Sequence, residues 1–135
     1  MRFMYIVTAP QAMQVPSPAL MEAIGKISER EIKAGRMIDN GGLMPLQQGA
    51  RIAIADGKLS ITDGPFVEAK EVVGGYAIFE LRDKAEALAM GKEFMQLHLD
   101  HMPGWEGTCE MRAMINHGTE MGCEEIVREF KAANA

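Results

Sequence analysis

The chain has 135 residues, 47% hydrophobic and 24% charged, enough for one domain with its own core and too apolar for a disordered segment. Its 14 Lys and Arg are scattered singly against 19 Asp and Glu, a net charge of -5 that excludes the clustered basic footprint of a nucleic-acid binder. No apolar run approaches membrane-spanning length, no signal-type segment opens the chain, and its two cysteines suit free thiols, so a cytoplasmic protein is expected.

Arg2 to Ala9 is a run of aromatic, β-branched and Met residues ending before Pro10, which predicts a buried first strand. Gln11 to Pro16 reads as a loop. Ser17 then caps a helix with Pro18 at its first position, and Leu20, Ile24 and Ile27 recur at helical spacing until Gly35. Met37 to Leu46, interrupted by Gly41-Gly42 and Pro45, predicts a short strand broken by a bend. Ala50 to Ala55 and Leu59 to Thr62 alternate apolar with polar residues around Asp56-Gly57, a strong hairpin signal.

Val72 to Leu81 alternates Tyr76, Ile78 and Glu80 with Ala77, Phe79 and Leu81, as a strand does. Asp83 and Glu86 form a capping-box pattern for a helix that carries Leu88, Gly91, Phe94 and Met95 on one side and runs to roughly Leu99. After Pro103-Gly104-Trp105, Thr108 to Ile115 reads as the last sheet strand and Gly118 to Gly122 as a turn. Glu124 to Ala133 is then a polar helix with Ile126, Val127 and Phe130 as its apolar contacts. The twelve methionines are spread over every segment, as core fillers are.

Two β-α-β halves around an inserted hairpin predict an α+β fold of the ferredoxin-like sandwich type, with helices on one face of a mainly antiparallel sheet. Residues 1–117 form the domain and 118–135 a C-terminal helical extension of it. A bare apolar sheet face needs cover, so a homodimer packed face to face is expected.

The stretch Thr62-Asp63-Gly64-Pro65-Phe66-x-Glu68-x-Lys70-Glu71, followed by Gly74-Gly75-Tyr76, resembles the DGPF-motif branch of the YCII-related superfamily. Gly41-Gly42-x-x-Pro45 and Glu110-x-Arg112 extend the likeness over about Met1 to Met114. The resemblance implies a dimeric α/β-barrel of ferredoxin-like subunits. Relatives of the YCII type suggest a His and Asp pair with the His on the first helix, yet Ser17 to Gly35 contains no histidine. Some family members resemble genomic neighbours of extracytoplasmic-function sigma factors, which implies a signalling link.

Asp63 has two readings: an Asx residue accepting backbone N–H bonds of the turn that follows, or a general base facing a cleft. Phe66 is a plug at the barrel mouth or the lining of an apolar ligand site. Glu68, Lys70 and Glu71 read as a solvated run, but Lys70 and Arg112 pointing inward would together hold a small carboxylate, with the Tyr76 hydroxyl beside them. His98, Asp100 and His101 are of metal-ligand type without a further His or paired Cys at a recognised spacing, so no metal and no cofactor is expected and His98 reads instead as a proton shuttle. Trp105 packs its loop onto the core or a dimer partner, or, if exposed, acts as a ligand lid, and His117 reads as a strand-end surface residue. The functional expectation is a dimeric small-molecule binder or enzyme with catalytic Asp63 and His98 and ligand-binding Phe66, Lys70, Tyr76 and Arg112. The alternative is a non-catalytic dimeric regulatory or interaction module linked to sigma-factor signalling. No nucleic-acid or membrane partner is expected.

Overall fold

A computed structural model describes residues 1–10, 15–64, 71–115 and 123–135. The elements are β1 (Arg2–Pro10), α1 (Pro18–Lys33), β2 (Met37–Gly42), a 3-10 turn at Leu46–Gln48, β3 (Ala50–Ala55), β4 (Lys58–Asp63), β5 (Glu71–Glu80), α2 (Lys84–His101), β6 (Thr108–Ala113) and α3 (Cys123–Ala133). Four strands form an antiparallel sheet in the order β2-β5-β1-β6, and β3 with β4 forms a separate hairpin, so the fold is α+β. Among the described residues no helix is long and apolar enough to cross a membrane.

Local chemistry sets the helix ends. Ser17 Oγ accepts from the Leu20 N–H at 3.1 Å and donates to the His101 carbonyl at 2.8 Å, so the cap of α1 also ties that helix to the last turn of α2. Gly35, at φ 72°, takes the left-handed position that ends α1. Asp83 caps α2 by accepting from the Glu86 N–H at 2.9 Å, while the Glu86 carboxylate reaches the Arg82 N–H at 3.1 Å, one residue upstream of the capping-box partner. The helix continues past Leu99 to His101 and ends at Met102, the residue whose backbone Pro103 restricts.

The core lies between the sheet and the two long helices, around Phe3, Tyr5, Ile27, Phe79, Leu81, Ala87 and Met90. Strand register places Tyr5 opposite Ala77 and Met111, so those side chains share the helix side of the sheet. The Tyr5 hydroxyl donates to the Ala87 carbonyl, and a Cβ at Gly91 would stand 3.1 Å from the Tyr5 ring. These contacts rotate α2 so that Ala87, Met90 and His98 are buried, while Leu88, assigned to the inner face by periodicity, is exposed. Met4, Ile6, Tyr76 and Ile78 alternate onto the opposite sheet face and remain half-buried there.

The hairpin turns at Asp56 and Gly57, with φ of 52° and 71°, the paired positive values that a two-residue turn between right-twisted strands requires. Its register sets Ile52 opposite Ile61 and Ile54 opposite Leu59, so four exposed aliphatic side chains share one face. Beyond β4, the Gly64 N–H donates to the Gly49 carbonyl at 2.9 Å and anchors the hairpin base to the 3-10 turn.

Candidate functional site

A cavity of about 400 Å³ lies between α1, α2 and the helix side of the sheet. Leu20 and Ile24 of α1, Phe94 and His98 of α2, Tyr5 and Val7 of β1 and the indole-bearing Trp105 loop enclose it, and Gly42 and Gly75 border it from paired strands. Among the described residues no Asp, Glu, Lys or Arg lines it.

His98 is a buried ionisable group of this wall, beside Tyr5, whose hydroxyl is committed to the Ala87 carbonyl. Its Nδ1 lies 3.2 Å from the Phe94 carbonyl one turn earlier, and a carbonyl can only accept, so Nδ1 carries the proton and Nε2 a lone pair. Among the described residues no buried side-chain nitrogen lacks a partner, and the hydrogen bond of this ring is made by Nδ1. Nε2 is therefore not sealed in protein, and the His98 ring forms part of the cavity wall. The imidazole sits between two aromatic rings, with centroids 5.0 Å from Phe94 and 4.5 Å from Trp105. Burial lowers the His98 pKa below its ordinary value, the bond to Phe94 opposing it, so the ring is neutral at pH 7.

Two glycines shape the surroundings. A Cβ at Gly107 would collide with the Trp105 indole and stand 2.8 Å from the Thr8 carbonyl, so the missing side chain is what lets the indole lie against His98. A Cβ at Gly42 would meet nothing within 4 Å, so neither packing nor a positive φ requires glycine there.

His98 and Tyr76 are the predicted site residues that line the cavity, and His98 is the one on its helix side. Asp63 ends β4 opposite Ala50 and is exposed, outside the lining. Arg112 pairs with Met4 on β6, exposed and on the sheet face away from the helices. Tyr76 borders the cavity, but its ring lies against Gly41 and its hydroxyl donates to Asp39 Oδ2 at 3.1 Å, on the other face of β5 from Ala77. Phe66 and Lys70 lie outside the described residues, as do Glu68 and His117. Asp100 accepts from the Gln96 amide on the exposed side of α2, and among the described residues no three His, Cys, Asp or Glu converge as metal ligands.

Sequence reading missed Ser28 and Asn40, which also line the cavity, and the aromatic pair around His98. The Phe94 spacing, four residues before His98, was the available signal for the latter.

The model of the YCII-related domain matches residues 1–95. The chain belongs to the YCII-related family. No curated protein matches it. In this YCII-related chain the matched region supplies β1, β2, the β3–β4 hairpin, β5, α1 and the first part of α2, while His98, Met102, Trp105 and the edge strand β6 follow it in sequence.

The lowered His98 pKa carries a sign for stability. An unfolded histidine titrates near about 6.5. Because the folded form holds its proton less tightly, the stability contributed by neutral His98 is complete above that value and declines as pH falls toward the folded pKa. The melting temperature is therefore expected to drop between pH 7 and pH 5, and to drop less in a His98→Phe variant. Parallel slopes for the two proteins would remove His98 as the cause.

Proposed function

We propose that the chain is a dimeric small-molecule-binding protein of the DGPF-motif branch, built on a ferredoxin-like subunit, whose acid/base group is His98. The observation that carries this reading is a neutral imidazole, its Nδ1 held by the Phe94 carbonyl and its Nε2 left free, in the wall of a largely apolar cavity. Pockets of this kind hold a ligand by shape and apolar contact and orient it through few polar groups. Nε2 is the atom that would accept a proton from the bound molecule. Asp63, away from the lining, keeps the structural reading of a turn residue.

The subunit topology is supported by the strand order β2-β5-β1-β6 with the β3–β4 hairpin inserted between the second and third sheet strands. The dimer is supported by the apolar sheet face of Met4, Ile6 and Ile78, which two copies would cover through a twofold axis.

Trp105, the chain's one tryptophan, gives the test a built-in signal. Titration with a panel of small aromatic and aliphatic compounds is expected to change its fluorescence in the wild type. The same titration should give no signal in Gly42→Leu, whose side chain meets no protein atom where it starts and would take up ligand space at the cavity rim. Light scattering of the same samples should give twice the mass of one chain. A panel without any response in the wild type would sink the binding reading, and a monomer mass the dimer.

A further inference from the structure

We infer that the ligand of this cavity is an uncharged, flat aromatic molecule bearing a hydroxyl group, which donates its hydrogen to His98 Nε2. The inference rests on the reading of the cavity as a small-molecule site and names the chemical class that the site takes.

Three features of the wall select that class. Charge is excluded first: no ionic side chain lines the cavity among the described residues, so a carboxylate or phosphate would give up its water without a counter-charge. Hydrogen-bond polarity comes next. Nδ1–H is committed to the Phe94 carbonyl, which leaves Nε2 able to accept and unable to donate. A ketone or ether oxygen would face that lone pair with a lone pair of its own, whereas a hydroxyl satisfies it.

Shape is the third feature. Gly42 and Gly75 face each other across β2 and β5 in the register that alternates toward the helices, giving a strip of wall without side chains. A Cβ at Gly75 would stand 3.1 Å from the Gly41 carbonyl, so that backbone surface is closely formed. Trp105, stacked on His98 at an interplanar angle of 37°, supplies an aromatic surface within the same cavity. A planar ring system matches these surfaces better than a branched aliphatic of equal volume. A cavity of about 400 Å³ has room for two fused rings.

The probes are 2-naphthol, naphthalene and 2-naphthoate, alike in their rings and different in the one group that meets Nε2. Calorimetry and Trp105 fluorescence on the full chain at pH 7.5 are expected to show 2-naphthol binding roughly tenfold more tightly than naphthalene, with 2-naphthoate weakest. In His98→Phe, which keeps an aromatic ring between Phe94 and Trp105, the preference for naphthol over naphthalene should disappear while naphthalene still binds. Equal affinity of the wild type for naphthol and naphthalene, or preference for naphthoate, overturns the inference and leaves the binding site standing. Failure of all three where other compounds in the panel bind also overturns it. If nothing binds at all, the reading of the cavity as a ligand site falls with it.

Discussion

Replacing Gly64 by alanine is expected to cost at least about 3 kcal/mol of folding stability, measured by chemical denaturation. A Cβ built on Gly64 falls on the Leu46 carbonyl oxygen, 2.6 Å from its carbon and 3.3 Å from the Gly49 oxygen. All of these are backbone atoms, and a Cβ has no rotamer with which to avoid them. The chain could admit the methyl group only by separating the base of the hairpin from the 3-10 turn, which would break the 2.9 Å bond from the Gly64 N–H to the Gly49 carbonyl. Gly42→Ala is the matched control, because its Cβ meets nothing within 4 Å, and it should change stability by less than about 0.5 kcal/mol. If Gly64→Ala were as mild as the control, the close approach of the two backbone segments would not exist in solution.

That geometry gives the second residue of the Asp-Gly-Pro-Phe stretch a packing reason. It is independent of the cavity, whose lining does not include Asp63 or Gly64. A motif that stands out in sequence thus marks where chain segments must touch, while the imidazole of the cavity sits on α2, far along the chain.

Elements governed by neighbouring residues were legible in the sequence. Ser17 with Pro18, Asp83 with Glu86, and Asp56 with Gly57 each act over a few residues, and each fixes its helix start or turn where expected. The inner face of α2 was less legible, because Tyr5 decides it from another strand by bonding Ala87 and abutting Gly91. Site membership follows the same logic. Tyr76 and Ala77 are adjacent, yet the two-residue period of a strand sends their side chains to opposite faces, and strand pairing rather than motif content decides which faces the helices. His98 was visible as an unusual residue type, but Trp105 reaches it through a loop whose path depends on Gly104, at φ 81°, and on the absence of a side chain at Gly107.

Hydropathy also conceals Glu31, a charged residue near the end of α1 that is only 2% exposed. Its carboxylate accepts from Arg36 Nε at 2.6 Å and Nη2 at 3.0 Å, and from Arg30 Nε at 3.2 Å and Nη2 at 2.9 Å. Arg30 continues to Glu93 on α2 at 2.7 Å, so Glu31 organises a chain of charge from the start of β2 through α1 to α2. Glu31→Ala is expected to destabilise the fold by about 3 kcal/mol, since it leaves two guanidinium groups without their shared acceptor and opens a gap beneath them. Both guanidinium groups are nearly half exposed and can recover water, which keeps the cost from being larger. Glu31→Gln separates charge from volume: its amide oxygen can serve one arginine, but its NH₂ turns donors toward the other, so the cost should remain near about 2 kcal/mol. If both variants unfold within about 0.5 kcal/mol of the wild type, the network contributes nothing to stability. The alanine variant should also bind cavity ligands more weakly, because the helices that Glu31 helps hold together are the walls between which the ligand sits.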